Sequence, residues 1–253
     1  LHKQLALVKG EWIVRVVAAA TALAIILNLA FLATAGAELN QDLNDTPESV
    51  IILWTDGPTL KAINLTFFPE KNGPVGIVSV PKHTLIDSER GSLTAEDFYY
   101  RYGREKLIRQ LEKLFKTSIG AFISVDQRAL VNISGIIGRI DMNGKKTTLV
   151  DVFEGNYTNG PVNLQVEIRQ LAGAMITPSL LLKIPKVVWI FSSQVDSDIG
   201  PRHLMAFYRV LCYRGPEVLQ KKAVPGQILV NGSRKYHRVD PDAWTRTLKE
   251  VTS

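Results

Sequence analysis

The sequence predicts an α/β fold, a mixed central sheet flanked by helices, preceded by one transmembrane helix. Three observations support this. After residue 48 come three short apolar runs closed by turn residues, which read as strands covered on both faces. Later segments carry apolar residues at helical spacing between further strand-like runs, so helices cover the sheet. And no charged residue occurs from Val16 to Ala37.

That N-terminal run is about 33 Å long as a helix, enough for a hydrocarbon core about 30 Å thick. Lys3, Lys9 and Arg15 precede it, and Glu38, Asp42 and Asp45 follow. The cationic side stays in the cytoplasm. The expected organisation is a cytoplasmic N-terminus (1–15), a transmembrane helix (16–37), a polar linker (38–48) and an extracytoplasmic domain (49–253). A signal peptide cleaved near Ala35-Gly36-Ala37 is the competing reading; its apolar region would be 7–15 residues, so the longer run favours a retained anchor in the cell membrane.

Ser49–Thr55, Leu60–Phe68 and Pro74–Val80 are the three apolar runs, separated by Asp56-Gly57-Pro58 and Lys71-Asn72-Gly73-Pro74. The Asn72-Gly73 turn favours a hairpin between the second and third. Helices are expected over 94–100 and 104–115, with Thr94 as N-cap and Leu107, Leu111, Leu114 and Phe115 on one face. Ile119–Val125 reads as a strand, and Asp126 caps a helix over 127–136. A short strand over 139–142 precedes the Asn143-Gly144 turn. Helices are then expected over 164–175, 178–192 (with Pro185 able to kink it) and 203–213. A hairpin over 227–239 and a last helix from Asp240 complete the pass.

Hydrophobic residues make up 46% and charged residues 21%, so the chain is globular rather than disordered. Its 30 Lys and Arg against 24 Asp and Glu give +6, compatible with an anionic ligand or membrane surface. The single Cys212 excludes an internal disulfide and any CxxC site; its apolar surroundings make it a buried thiol rather than a nucleophile. No P-loop, nucleophile elbow or HExxH pattern occurs. No helix-turn-helix signal is present, and nucleic acid is not an expected partner.

Two clusters remain as candidate chemistry. The first strand ends in Asp56 and the third in Pro81-Lys82-His83-Thr84. Set side by side, those tips would face one crevice, with Asp56 on a divalent metal and Lys82 on a phosphate; on spacing alone an ordinary turn and a solvated tip is the simpler reading. Asp196-Ser197-Asp198 is an acidic loop ahead of Arg202 and His203, able to chelate a cation or merely to cap the next helix.

Together these segments resemble the LytR-CpsA-Psr family. Ile51-Ile52-Leu53-Trp54-Thr55-Asp56 is similar to its strand ending in Gly-x-Asp, and Ser79-Val80-Pro81-Lys82-His83-Thr84 to its Ser-[IV]-Pro-Arg-Asp-Thr. Gly120 to Leu130 resembles its next strand and helix, and Asp196 to Leu211 its Asp-x-Gly-Arg segment and the helix after it. The resemblance covers roughly residues 49–212. It implies an anchored bacterial extracytoplasmic domain that transfers teichoic acid or capsule glycopolymer from a polyprenyl-pyrophosphate lipid to the cell wall, with Mg2+ on the pyrophosphate. Carried over residue by residue, Lys82 and Arg202 are the catalytic candidates. Lys82, His83 and Asp196 would bind substrate, and Asp56 and Asp198 the metal. The implied partners are the bacterial membrane, the polyprenyl lipid, and cell-wall polymer or envelope proteins.

The departures are specific. Trp54 stands in the glycine's place. The family's Arg-x-Asp falls on Pro58 and Leu60, its Pro-Arg-Asp reads Pro81-Lys82-His83, and its Arg-x-Arg region reads Phe191-Ser192-Ser193-Gln194. Pro201 displaces the next arginine to Arg202. An arginine fork makes two charge-assisted bonds to phosphate where lysine offers a point charge. A catalytically inactive lipid-binding or scaffold protein is therefore the alternative expectation.

Overall fold

The computed structural model describes residues 48–68, 73–88, 91–157, 163–232 and 234–252. A compact unit spans Asp45–Ser253. The expected membrane segment 16–37, and the linker before Glu48, lie outside the described residues. Among the described residues no helix is long and apolar enough to cross a membrane.

β1 (Ser49–Asp56) turns through Gly57-Pro58 into β2 (Thr59–Phe67), and β3 (Val75–Val80) lies antiparallel to β2. Gly57, at φ +56°, takes the first central position of this two-residue turn, a left-handed conformation that glycine adopts most readily. A small ribbon, β4 (Leu85–Ser88) with β5 (Gly91–Thr94), leads into α1 (Ala95–Phe115). β6 (Ala121–Asp126) then runs parallel to β1. Next come α2 (Gln127–Ile137), the ribbon β7 (Ile140–Met142) with β8 (Lys145–Thr147), α3 (Leu149–Glu154), α4 (Leu164–Met175), α5 (Pro178–Leu181) and α6 (Ile184–Gln194). β9 (Asp196–Ser197) pairs antiparallel with β6. After α7 (Pro201–Arg214), β10 (Leu219–Ala223) pairs parallel to β3. The hairpin β11 (Gly226–Asn231) with β12 (Arg234–Val239) and α8 (Pro241–Thr252) follow. The main sheet has the order β10–β3–β2–β1–β6–β9. In that topology β1, β3, β6 and β10 point the same way, so their C-terminal ends share one edge.

Alternation along the strands sorts the layers. Ile51, Leu53, Ile63, Leu65 and Val78 face Leu107, Leu111 and Phe115 of α1 and Trp244 and Val251 of α8. On the opposite face Trp54 meets Leu130 and Ile137 of α2, Met142, Leu149 and Leu180. Val75, Ile77 and Leu219 pack with Ala172 of α4 and Leu211 of α7. Burial of each such side chain contributes about 1.5–3 kcal/mol.

The mixed α/β sheet flanked by helices is as expected, and so are two caps. Thr94 Oγ1 accepts the Asp97 N–H at 3.0 Å, and Asp126 Oδ1 the Ala129 N–H at 2.9 Å. The two helices expected over 94–115 meet at Gly103, whose φ of 79° and ψ of −179° break the helical path inside α1. The helix expected over 178–192 is two helices. Pro185 has no N–H and belongs in a first turn, so a new helix starts at Ile184. β4, β5, β8, β9, β10 and α3 were not expected. β10 contains Lys221-Lys222 and shows no apolar alternation; side chains of α4 hold it instead. The Lys221 N–H donates to Gln165 Oε1 at 2.7 Å, and Lys221 Nζ pairs with Glu167 at 3.2 Å, both side chains 14% exposed.

α8 closes on β3 at Gly76, where an added Cβ would lie 2.6 Å from the Val251 carbonyl oxygen and 2.9 Å from its Cγ2. Gly76→Ala is expected to cost about 1–3 kcal/mol by forcing α8 off the sheet, measured as a lowered denaturant midpoint.

Candidate functional site

The candidate residues fall into two places fixed by strand direction. Asp56, Lys82 and His83 stand at the shared C-terminal edge of the sheet. β2 lies between β1 and β3, so the condition for a shared crevice, that the two tips be neighbours, is not met; they are separated by two strand spacings, about 10 Å. Asp56 sits at the hairpin turn and pairs with Lys61 at 3.4 Å, both groups exposed. A register shift between Trp54 and Thr55 accommodates Lys61 in the opposing strand. Lys82 pairs with Glu96 at 3.0 Å, and its carbonyl accepts the Glu96 N–H at 2.9 Å. This ties the β3 tip to the first turn of α1.

His83 faces a second imidazole. The His237 N–H donates to the His83 carbonyl at 2.9 Å, the two rings meet edge to face at 6.2 Å, and His237 Nδ1 lies 3.4 Å from Thr84 Oγ1. His237 is buried against Gly226, whose place no Cβ could share. Burial, then the nearby His83, holds the His237 pKa below its ordinary 6.5.

The acidic loop lies elsewhere. In β9, Asp196 is opposite Ser124 and Ser197 opposite Ile123, and Asp198 Oδ1 accepts the Phe122 N–H at 2.7 Å. Phe122 is level with Ile51 of β1, five residues before Asp56. Asp56 and Asp198 are therefore about 16 Å apart along the strands alone. Magnesium ligands sit about 2.0–2.1 Å from the ion, so these two carboxylates cannot share one. Among the described residues no group of three His, Cys, Asp or Glu side chains could hold a metal. The expected Mg2+ does not fit this donor set.

Asp196 pairs with Arg104, whose guanidinium carbon lies 3.8 Å from the centre of the Phe122 ring. Neither Arg104 nor the pairing of Glu96 with Lys82 is visible in the sequence; both depend on α1 folding back over the sheet. A pocket of about 240 Å³ opens beside the loop, lined by Phe191, Ser192, Val195, Ser197, Asp198, Ile199 and Gly200. These are the segments that stand at the resemblance's Arg-x-Arg and Asp-x-Gly positions. Gly200 caps α7 without a side-chain hydrogen bond. Arg202 is in the first turn of α7, but its side chain is outside those described.

On the face covered by α2 and α3, Trp54 fills the position where the resemblance expects glycine. Its indole N–H donates to Gln127 Oε1 at 2.9 Å, and its ring meets Phe153 edge to face at 5.8 Å. Further along the same face Ser79 Oγ donates to Asn64 Oδ1 at 2.7 Å, and the buried Thr66 Oγ1 has no partner among the described residues. Burial pushes the Cys212 thiol pKa up, which keeps it protonated, as befits a structural thiol.

No protein-family model matches the chain, and no curated protein does. Solved structures do match. B. subtilis TagV is 14% identical with a TM-score of 0.63, covering 81% of this chain and 97% of its own. Lin1025 from Listeria innocua is 16% identical with a TM-score of 0.58, over 80% and 95%. TagT bound to LI-WTA is 10% identical with a TM-score of 0.57, over 80% and 88%.

The histidine pair makes stability pH-dependent. A native pKa below 6.5 means the unfolded chain takes up the proton first on acidification. Stability is then complete above about pH 6.5 and falls as pH drops through the lower, native value. Thermal melts between pH 7.5 and 5 should show Tm falling below about pH 6.5, and His237→Gln should flatten that fall.

Proposed function

We propose that this chain, which has the LytR-CpsA-Psr fold, is a cell-envelope protein that binds a polyprenyl-(pyro)phosphate-linked glycopolymer and holds it for other envelope proteins rather than transferring it. It would be anchored by residues 16–37, with the folded domain outside the cytoplasm. The likeness to TagV and to TagT bound to LI-WTA, over about four-fifths of the chain, supports the cell-wall setting.

The observation that carries the binding reading is the state of the charged candidates. Lys82 is engaged by Glu96, Asp56 by Lys61, Asp196 by Arg104, and Asp198 by a backbone N–H. A transferase would need several of these converging on one phosphate and one metal. Binding needs less: an anionic head at the start of α7, where the N-terminal dipole and Arg202 favour negative charge, and apolar walls for the isoprenoid. The Thr66 hydroxyl, between the sheet and its helical cover and without a partner among the described residues, could donate to a ligand.

Native mass spectrometry of the chain purified from bacterial membranes in mild detergent tests this. The expected result is a copurifying polyprenyl phosphate or pyrophosphate. Arg202→Ala is expected to lower its affinity about 30-fold or more, the cost of removing one partner of a close charge pair. An empty protein, from a preparation in which TagT retains its lipid, would contradict the proposal.

A further inference from the structure

α2 and α6 pack antiparallel. At one end Asn132 Nδ2 donates to Gln194 Oε1 at 2.7 Å; at the other Lys183 Nζ donates to the Ile137 carbonyl at 3.0 Å. The second end is unusual. Leu182 is 81% exposed and Trp189 66% exposed, while Leu180, Ile190 and Phe191 already supply the core side of this segment. Leu182, Pro185, Lys186 and Trp189 recur at helical spacing, and all four are exposed. Three cations belong to this end: Lys186 itself, Lys183 next to Leu182 in the chain, and Arg139 just past the end of α2. None of the three is in an ion pair among the described residues. No carboxylate occurs in 127–140 or in 168–195. At this end the nearest acid along the chain is the exposed Asp141, whose carboxylate accepts the Gly144 N–H at 2.8 Å; Glu154, bonded to Gln127, and Asp198, beyond the end of α6, belong to the other end.

We propose that this end of the α2–α6 pair docks the folded domain on an anionic phospholipid surface. Tryptophan and leucine with three cations against the one nearby acid, Asp141, is a composition that settles at a headgroup boundary: the rings and aliphatic groups enter, and the cations meet phosphate. A second copy of the chain fits less well, because a two-fold contact would set the three cations against their own counterparts. Docking here would give the domain a membrane contact separate from residues 16–37 and fix which side of it faces the bilayer. The proposal goes beyond carrier binding and stands without it.

The test is tryptophan quenching in the 253-residue chain reconstituted into vesicles with brominated acyl chains, of phosphatidylcholine alone or with phosphatidylglycerol, and no polyprenyl lipid. Trp12, Trp54 and Trp244 are common to the parent chain and Trp189→Phe, so the difference between the two reports Trp189. The parent should show a quenched component that Trp189→Phe lacks, and that weakens without phosphatidylglycerol and in Lys186→Glu. Equal quenching of parent and Trp189→Phe would overturn the proposal. Quenching indifferent to both phosphatidylglycerol and Lys186→Glu would overturn the anionic surface. Protection of Trp189 from an aqueous quencher with no quenching by brominated lipid would assign the face to a protein and overturn the proposal too. Because no carrier lipid is present, failure here is distinguishable from failure of the carrier-binding reading.

Discussion

The parallel pairing of β1 with β6, inside a sheet whose β1, β2 and β3 are antiparallel in turn, governs the rest of the molecule. It sends the C-terminal ends of β1, β3 and β6 to one edge. It also gives β6 a free side on which β9 can pair antiparallel, carrying the acidic loop toward the other edge. Asp56 and Asp198 are thus kept apart by strand direction itself, and no rotamer change brings them together. The same pairing sets which residues of β1 face α1 and which face α2, and so decides that Trp54 lies under α2 and α3.

Charge follows from that geometry. Each described candidate for phosphate or metal is closed on a group from its own surroundings. Lys82–Glu96 and Asp56–Lys61 are partly exposed pairs, which contribute little to stability. Their consequence is for chemistry: a lysine already facing a carboxylate offers a phosphate less net positive field than a free arginine fork. The pocket beside Asp198 lacks a described basic side chain in its lining. What remains favourable to an anion is the open start of α7, a binding feature more than a catalytic one.

Much of this architecture was legible in the sequence. Aliphatic runs broken by Asp56-Gly57-Pro58 gave β1 and β2 nearly to the residue, and Thr94 and Asp126 announced their caps. The rest depended on contacts remote along the chain. β10 pairs with β3 while Gln165 and Glu167 of α4 hold Lys221 and Glu250 of α8 holds Lys222, none of which a local pattern shows. Thr148 and Asp151 form a reciprocal cap at the start of α3, a short-range signal carried by the sequence itself. For the site, the residue types at Asp56, Lys82 and Asp198 were visible, but their separation was not. Spacing along a chain says nothing of which strands are neighbours, and β2 came to lie between the two tips.

The most direct test of the central claim is single-turnover transfer with a polyprenyl-pyrophosphate-linked glycopolymer bound to the full chain, with and without Mg2+. The account predicts that the bound carrier stays intact in both conditions. Mg2+-dependent transfer of the polymer, abolished by Asp56→Asn, would contradict it and would mean that the sheet tips come together in a way this arrangement does not allow.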